Sequence, residues 1–262
     1  MHTRAFLSAT LLAAAAAGSA ADGGTWDFYL RAQASAAMAT LDGSAAYSKD
    51  GVDGTTLSTS DLGLGDSSIS PAVEIGLGMP LLDFHAHLGW STFSTEGTET
   101  LTGNINFAGQ TYTAGTRLDS TAEVSDLYVE ACWAPLALNV AGFSIGLAAH
   151  QLAIKATLSG GGVDTALDES AILPTLALRA YVSPLDMLEA EVVVHGLSLP
   201  LGDITGTYAF AQAQVAYYPL TYIGIIAGYR HSIIDVEIES GGNKVMADVT
   251  VSGPYLGLAA QF

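Results

Sequence analysis

Residues 26–41 read WDFYLRAQASAAMATL, and their period decides the fold. Phe28, Leu30, Ala32, Ala34, Ala36 and Met38 fall on one face, with Asp27, Tyr29, Arg31, Gln33 and Ser35 on the other. Strict alternation at period two is the mark of a strand with unlike faces. The run also outlasts the five or six residues usual for a globular strand.

The same pattern recurs along the chain. Ile69, Val73, Ile75 and Leu77 oppose Ser70, Glu74, Gly76 and Gly78, and Phe84, Ala86, Leu88 and Trp90 oppose His85, His87 and Gly89. Leu127, Val129, Ala131 and Trp133 oppose Asp126, Tyr128 and Glu130. Equivalent runs begin near Phe143, Leu176, Leu188, Ala211, Ile223 and Gly253, which makes ten strands. Residues 91–124, rich in Thr and Gly, read as two strands continuing beyond their neighbours; a folded-back hairpin there would leave eight. In the fifth strand the apolar role passes from Phe143 to Leu152 and Ile154, a slip that a β-bulge would produce.

Composition says what such strands are for. Half of the 262 residues are hydrophobic and only 13% are charged, against about 25% in soluble domains. No later run reaches the ~18 apolar residues of a spanning helix. The remaining way to cross a bilayer is to close the strands into a barrel, which pairs every backbone group. The expected fold is therefore all-β: a transmembrane, antiparallel, up-and-down barrel occupying residues 22–262. Residues 1–21 precede it as a signal peptide, with Arg4, an apolar run from Ala5 to Ala17, and small residues up to Ala21. A net charge of −18 excludes nucleic acid as a partner, because phosphate binding needs clustered Lys and Arg. The lone Cys132 can form no internal disulfide and reads as a small apolar filler.

Two kinds of connection alternate. Short turns carry Pro80-Leu81, Pro135-Leu136, Pro184-Leu185 and Pro219-Leu220; long polar segments cover residues 43–66, 95–116, 159–169, 200–206 and 239–244. Short turns then gather at one end and long loops at the other, as in transmembrane barrels. Phe28, Trp133, Tyr217, Tyr218, Tyr222 and Phe262 fall at the short-turn end as an aromatic girdle. Gly76, Gly89, Gly146, Gly224 and Gly228 on the polar face suit a crowded lumen better than a solvated surface.

The inward face then carries a charge network: Asp27, Arg31, Glu74, Asp126, Glu130, Arg179, Glu189, Glu191 and Arg230, with His85, His87, His150 and His195 beside it. Charges in so narrow a space must pair, so the expected lumen is largely plugged, with a narrow passive pore as the functional version. Glu189 and Glu191 are expected to meet arginines across the lumen. His85 and His87 share a face but lack a third ligand, so no metal site and no cofactor are expected. Asp50, Asp53, Asp61, Asp66, Asp164, Asp168 and Glu169 cluster in the long loops as a solvated surface, with weak divalent-cation binding or adhesion as the sharper reading.

The last ten residues, GPYLGLAAQF (253–262), resemble the closing strand of bacterial outer-membrane β-barrel proteins. Tyr255, Leu256, Leu258, Ala260 and the terminal Phe262 match the alternating insertion signal of that family. Asp61-Leu62-Gly63-Leu64 and Met79-Pro80-Leu81-Leu82 also resemble an uncharacterised outer-membrane barrel family. The resemblance implies location in the outer membrane, contact with its lipid, and handling by the barrel-assembly machinery and periplasmic chaperones. Some barrels of this kind are proteases with Asp/His constellations near the outer loops. His150 and His231 lie furthest toward that end but have no Asp-x-Asp or Asp-x-His beside them, so no enzyme is expected, a hydrolase being the alternative.

Overall fold

The computed structural model describes residues 29–79, 83–138, 140–185, 187–198, 204–240 and 242–262. The leader, Asp27, Phe28 and the Pro80-Leu81 turn lie outside the described residues. In chain order the elements are β1 (Tyr29–Ser48), β2 (Leu57–Ser58), a 3-10 turn (Ser60–Leu62), β3 (Ser68–Met79) and β4 (Phe84–Thr100). Next come β5 (Ile105–Phe107), β6 (Gln110–Tyr112), β7 (Arg117–Leu138), β8 (Ala141–Gly160) and β9 (Val163–Leu185). The last four are β10 (Leu188–Ser198), β11 (Ile204–Leu220), β12 (Ile223–Ser240) and β13 (Asn243–Gln261).

Every barrel strand pairs antiparallel with its neighbour in sequence, and β13 pairs with β1 to close the ring. Ten strands form the wall, so the eight-strand count is set aside. Closure runs to the last residue: the Leu30 amide donates to the Phe262 carbonyl at 3.0 Å and the Phe262 amide to the Leu30 carbonyl at 2.8 Å. β2 edges β1, while β5 and β6 form a separate two-stranded hairpin. The 3-10 turn is tied by Asp61, whose carboxylate accepts from the Ser58 hydroxyl (2.6 Å) and the Ser58 amide (3.0 Å). Those donors hold its carboxyl below the usual value.

The strands are far longer than a bilayer requires. β7, β8 and β9 have 22, 20 and 23 residues, where a tilted transmembrane strand needs about 9–11. Two expected loops are in fact strand. Residues 159–169 belong to β8 and β9, which meet at Gly161-Gly162, where φ of 61° and 82° make the tight turn that only glycine enters without strain. Residues 239–244 likewise lie mostly in β12 and β13. Residues 91–124 do continue the wall, as the upper parts of β4 and β7 with the β5–β6 hairpin between them. The prolines at 135, 184 and 219 sit in terminal strand residues, not in the turns themselves, and the ladders beside Pro135 and Pro219 shift register, since proline offers no amide.

No bulge interrupts the fifth strand: β8 pairs with β9 without a break from Ala141 to Gly160. The apparent slip has a different cause, which governs the whole barrel. On β7, Leu127, Val129, Ala131 and Trp133 face outward and are exposed, while Asp126, Tyr128, Glu130 and Cys132 face inward and are buried. Above Asp126 the parity continues but the polarity reverses: Arg117, Asp119 and Thr121 face outward, Leu118 and Val124 inward. β8 does the same, passing from outward Leu147 and inward His150 to outward Lys155 and inward Leu152 and Leu158. The change falls at Trp90/Thr92 on β4 and at Ile172/Ser170 on β9, near the same level in the ladder. Below it the barrel is inside-out and meets lipid; above it the barrel is built like a soluble one.

This boundary is testable by unfolding titrations in lipid vesicles. Val129→Arg on the apolar belt should cost about 2–4 kcal/mol. Thr121→Arg, outward on the same strand above the boundary, should stay within about 0.5 kcal/mol of wild type.

Candidate functional site in the barrel lumen

The lumen has two storeys. The upper one is apolar: Leu41, Phe93, Val124, Leu152, Leu173, Ile234, Val236 and Val249 fill the barrel. Leu57 and Phe107 from the loops then cap Leu118, Leu158, Leu167 and Val245. The lower storey holds the charges, because the outward positions there are committed to lipid and the inward ones are free of it.

Arg179 on β9 is the hub. Its Nε donates to both oxygens of Glu130 (2.8 and 2.9 Å), Nη1 to Glu191 (3.1 Å) and Glu74 (3.3 Å), and Nη2 to Glu74 (3.1 Å). Three carboxylates from β7, β10 and β3 thus converge on one guanidinium, whose planar fork suits such pairing. Arg31 on β1 reaches Glu189 at 2.6 Å and Glu191 at 3.5 Å. Glu191 also accepts from Gln214 (2.6 Å), and Gln214 accepts from the Tyr255 hydroxyl (2.8 Å). The Tyr128 hydroxyl donates to Glu74. Arg230 stands apart from the acids: it donates to Gln212 at 3.0 and 3.2 Å and lies 5.3 Å over the Tyr255 ring.

A second arm crosses the lumen through histidines. Asp126 lies 3.0 Å from His150 Nδ1, His150 Nε2 lies 3.0 Å from His195 Nδ1, and His195 Nε2 lies 3.0 Å from Glu130. Both rings are fully buried. The sequence offers no aspartate beside His150; the adjacent strand supplies it. Cys132 is less inert than a filler, because its Sγ lies 2.8 Å from Glu130. Room for these crossings comes from glycine: a Cβ on Gly228 would lie 2.6 Å from the Tyr255 ring.

His85 and His87 share the lumen face at the lower end, His87 Nδ1 lying 3.4 Å from Glu74 without a hydrogen bond. Among the described residues no group of three or more His, Cys, Asp or Glu is placed to hold a metal ion. Tyr255, read as part of the terminal signal, points inward to Gln214, while Leu256, Leu258 and Phe262 are exposed to the lipid side. Tyr218, read as a girdle residue, is buried in the lumen instead. Trp133, Tyr217, Tyr222 and Phe262 do face outward near the short turns, and Tyr222 stacks on Phe262 at 5.8 Å. The acids Asp50, Asp53, Asp61, Asp66, Asp164 and Asp168 are exposed at the opposite end.

Inside the barrel, space is unevenly divided. A vestibule of about 520 Å³, lined by Arg31, His85, His87, Tyr181, Glu189 and Glu191 among others, opens at the short-turn end. Beyond it are smaller cavities of about 20 and 30 Å³, and one of about 70 Å³ in the apolar storey, each with room for a few waters.

No protein-family description matches the chain, and no curated protein sequence does. Solved structures do. The outer membrane protease OmpT from Escherichia coli aligns over 90% of this chain and 98% of its own, at 11% identity and a TM-score of 0.54. The transport unit of the autotransporter AIDA-I from Escherichia coli aligns over 90% of each chain (10%, 0.39). The attachment invasion locus protein Ail of Yersinia pestis aligns over 89% of this chain and 99% of its own (13%, 0.35). Of these three, only the protease superposes closely enough to carry an argument, and at that identity the argument concerns fold alone. The fold is that of the bacterial outer-membrane β-barrels. This chain is a closed antiparallel barrel of ten strands.

Removing one partner of the hub exposes its energetics. Glu130→Gln leaves Arg179 and the histidine arm short of a buried negative charge and should cost about 3–5 kcal/mol. Glu189→Gln, at the partly open vestibule, should cost less than half as much, both read from urea unfolding in detergent micelles.

Proposed function

We propose that this chain is a sealed structural barrel of the bacterial outer membrane, held in the bilayer by its apolar belt and presenting a rigid outer lobe. One observation carries the reading: the lumen is closed twice, by charged pairs around Arg179 and again by the apolar core around Phe93, Leu152 and Ile234. The cavities described beyond the vestibule, of about 20, 30 and 70 Å³, have room for a few waters each. The narrow-pore reading requires a continuous polar path, and the upper storey supplies apolar side chains there.

The same sealing argues against catalysis. The Asp126–His150 pair has the spacing of a general-base couple, but a substrate must come within hydrogen-bond reach of the base. His150 is fully buried, jacketed by Tyr128, Tyr208 and Phe210.

Planar-bilayer recordings of the purified protein test the seal. Wild type should be silent, and so should Arg31→Ala and Arg230→Ala, because each leaves the apolar storey in place. Stepwise conductance in the wild type would remove the reading.

A second reading, adhesion through the outer lobe, is favoured by the exposed acids gathered at that end. Asp50→Asn, Asp53→Asn and Asp66→Asn combined should weaken binding of intact cells to a cationic surface at low salt, leaving the barrel's heat stability unchanged. Equal binding by the triple variant excludes charge-led adhesion through this loop.

A further inference from the structure

The wall is not the same height all round. β9 pairs with β8 along its upper length, from Ala141↔Val182 to Gly160↔Val163. On its other side β9 pairs with β10 only as far as Leu176↔Gly196. β10 has 11 residues against 23 in β9, and it ends at Ser198. Among the described residues, Val163 to Thr175 therefore carry a ladder on one side alone. At about 3.3 Å per residue that edge is roughly 40 Å long. The chain from Ser198 to Ile204 spans about 20 Å at full stretch, too little to line the edge to its top.

Parity says which backbone groups the edge presents. The Ser183 amide donates to the Val140 carbonyl at 2.8 Å, on the β8 side, and the register runs on from there without a shift. Odd-numbered residues of β9 therefore bond to β8, and even-numbered ones turn their N–H and C=O groups the other way. These are Asp164, Ala166, Asp168, Ser170, Ile172 and Pro174, all of them exposed. Pro174 fits the assignment, because its missing amide faces off the ladder. The amides of Asp164, Ala166, Asp168 and Ser170 lie above the lipid boundary, where water serves them and nothing compels the wall to close.

We propose that this edge is a docking site for a cationic extended segment of another polypeptide, which adds to β9 as an antiparallel strand. Free edges take up strands through the backbone, and alternate side chains then supply the selectivity. On the outward side of the edge stand Asp164 and Asp168, with Ser159 and Lys155 opposite them on β8. β7 adds Asp119 opposite Ser159 and Glu123 opposite Lys155. Four carboxylates thus face outward beside Lys155 and, at the top, Arg117. Charge on an edge acts against pairing with a second copy of itself, and here it favours a partner with Lys or Arg at alternate positions. The inward neighbours are Leu167 and Ala171, which suit apolar residues between those charges. The proposal goes beyond the sealed barrel and stands whether or not the lumen conducts.

Hydrogen exchange on the purified barrel in micelles reads the edge itself. The amides of Ala166, Asp168 and Ser170 should exchange much faster than those of Thr165, Leu167 and Glu169. Equal protection of both sets would mean that the edge is already filled, and would overturn the proposal. The docking probe is a twelve-residue Lys-Val repeat. Its lysines, opposite the even-numbered positions, face outward and turn their amides to β9. Methylating the lysine amide nitrogens should weaken binding about tenfold or more. Methylating the valine amides, which keeps the same charge, should leave binding as it was. Equal binding by the two methylated peptides, or none by the unmodified one, would sink the idea. On the protein, Ala166→Pro with Ser170→Pro removes two free amides and no bond to β8, so heat stability should hold while peptide binding falls. Full binding by that folded variant counts against the edge; should it not fold, the two methylated peptides decide. Dimers of the wild type that the double proline variant lacks would make the occupant a second copy and end the case for a cationic partner. The Asp50→Asn, Asp53→Asn, Asp66→Asn variant should bind the peptide as the wild type does; a loss there moves the binding to that loop and away from β9.

Discussion

Backbone groups in lipid have no water to fall back on, and every other feature of this molecule answers to that constraint. The pairing of β13 with β1 removes the last two edges, and it runs from Ser48↔Lys244 at one end to Arg31↔Gln261 near the other. Once the ring is closed, alternation leaves each residue two options, lipid or lumen. Apolar side chains take the first along the belt, so polar ones are pressed into the second, where they must satisfy one another. The crowding around Arg179 is thus a consequence of the membrane, transmitted through strand geometry.

The reversal of polarity at one level of the wall shows how local that pressure is. The same strand, with the same parity, sorts its side chains oppositely on either side of Asp126. Where water replaces lipid outside, the hydrophobic effect regains its usual direction and fills the interior with leucine, valine and isoleucine. The two fillings meet at Asp126, Leu152, Phe93 and Tyr208, where a polar arm and an apolar core share one lumen around a cavity of about 30 Å³.

Much of this was legible in the residues alone. Period-two runs located the strands, and parity assigned Arg31, Glu74, Glu130, Arg179 and Glu191 to one face. What parity cannot supply is partnership across the ring. Asp126 and His150 are neighbours only because β7 and β8 are in register, and His195 joins them from β10, two strands further round. The reversal of polarity was visible as a slip near His150, but one strand read alone cannot separate a bulge from a change of surroundings. Residues 159–169 looked like a loop because water-facing strand and loop share the same polar composition; the Gly161-Gly162 pair was the local sign of a tight turn.

The length of β7, β8 and β9 bears on what the outer end can do. Above the shift at Pro135 their ladders carry the wall unbroken to the turn at Gly161-Gly162, and the β5–β6 hairpin and the 3-10 turn rest on that column through Phe107, Tyr112, Leu57 and Leu62. A recognition surface mounted in this way is already immobilised. A partner meeting it would spend little of its contact energy on stilling mobile segments, so even a small footprint there could hold.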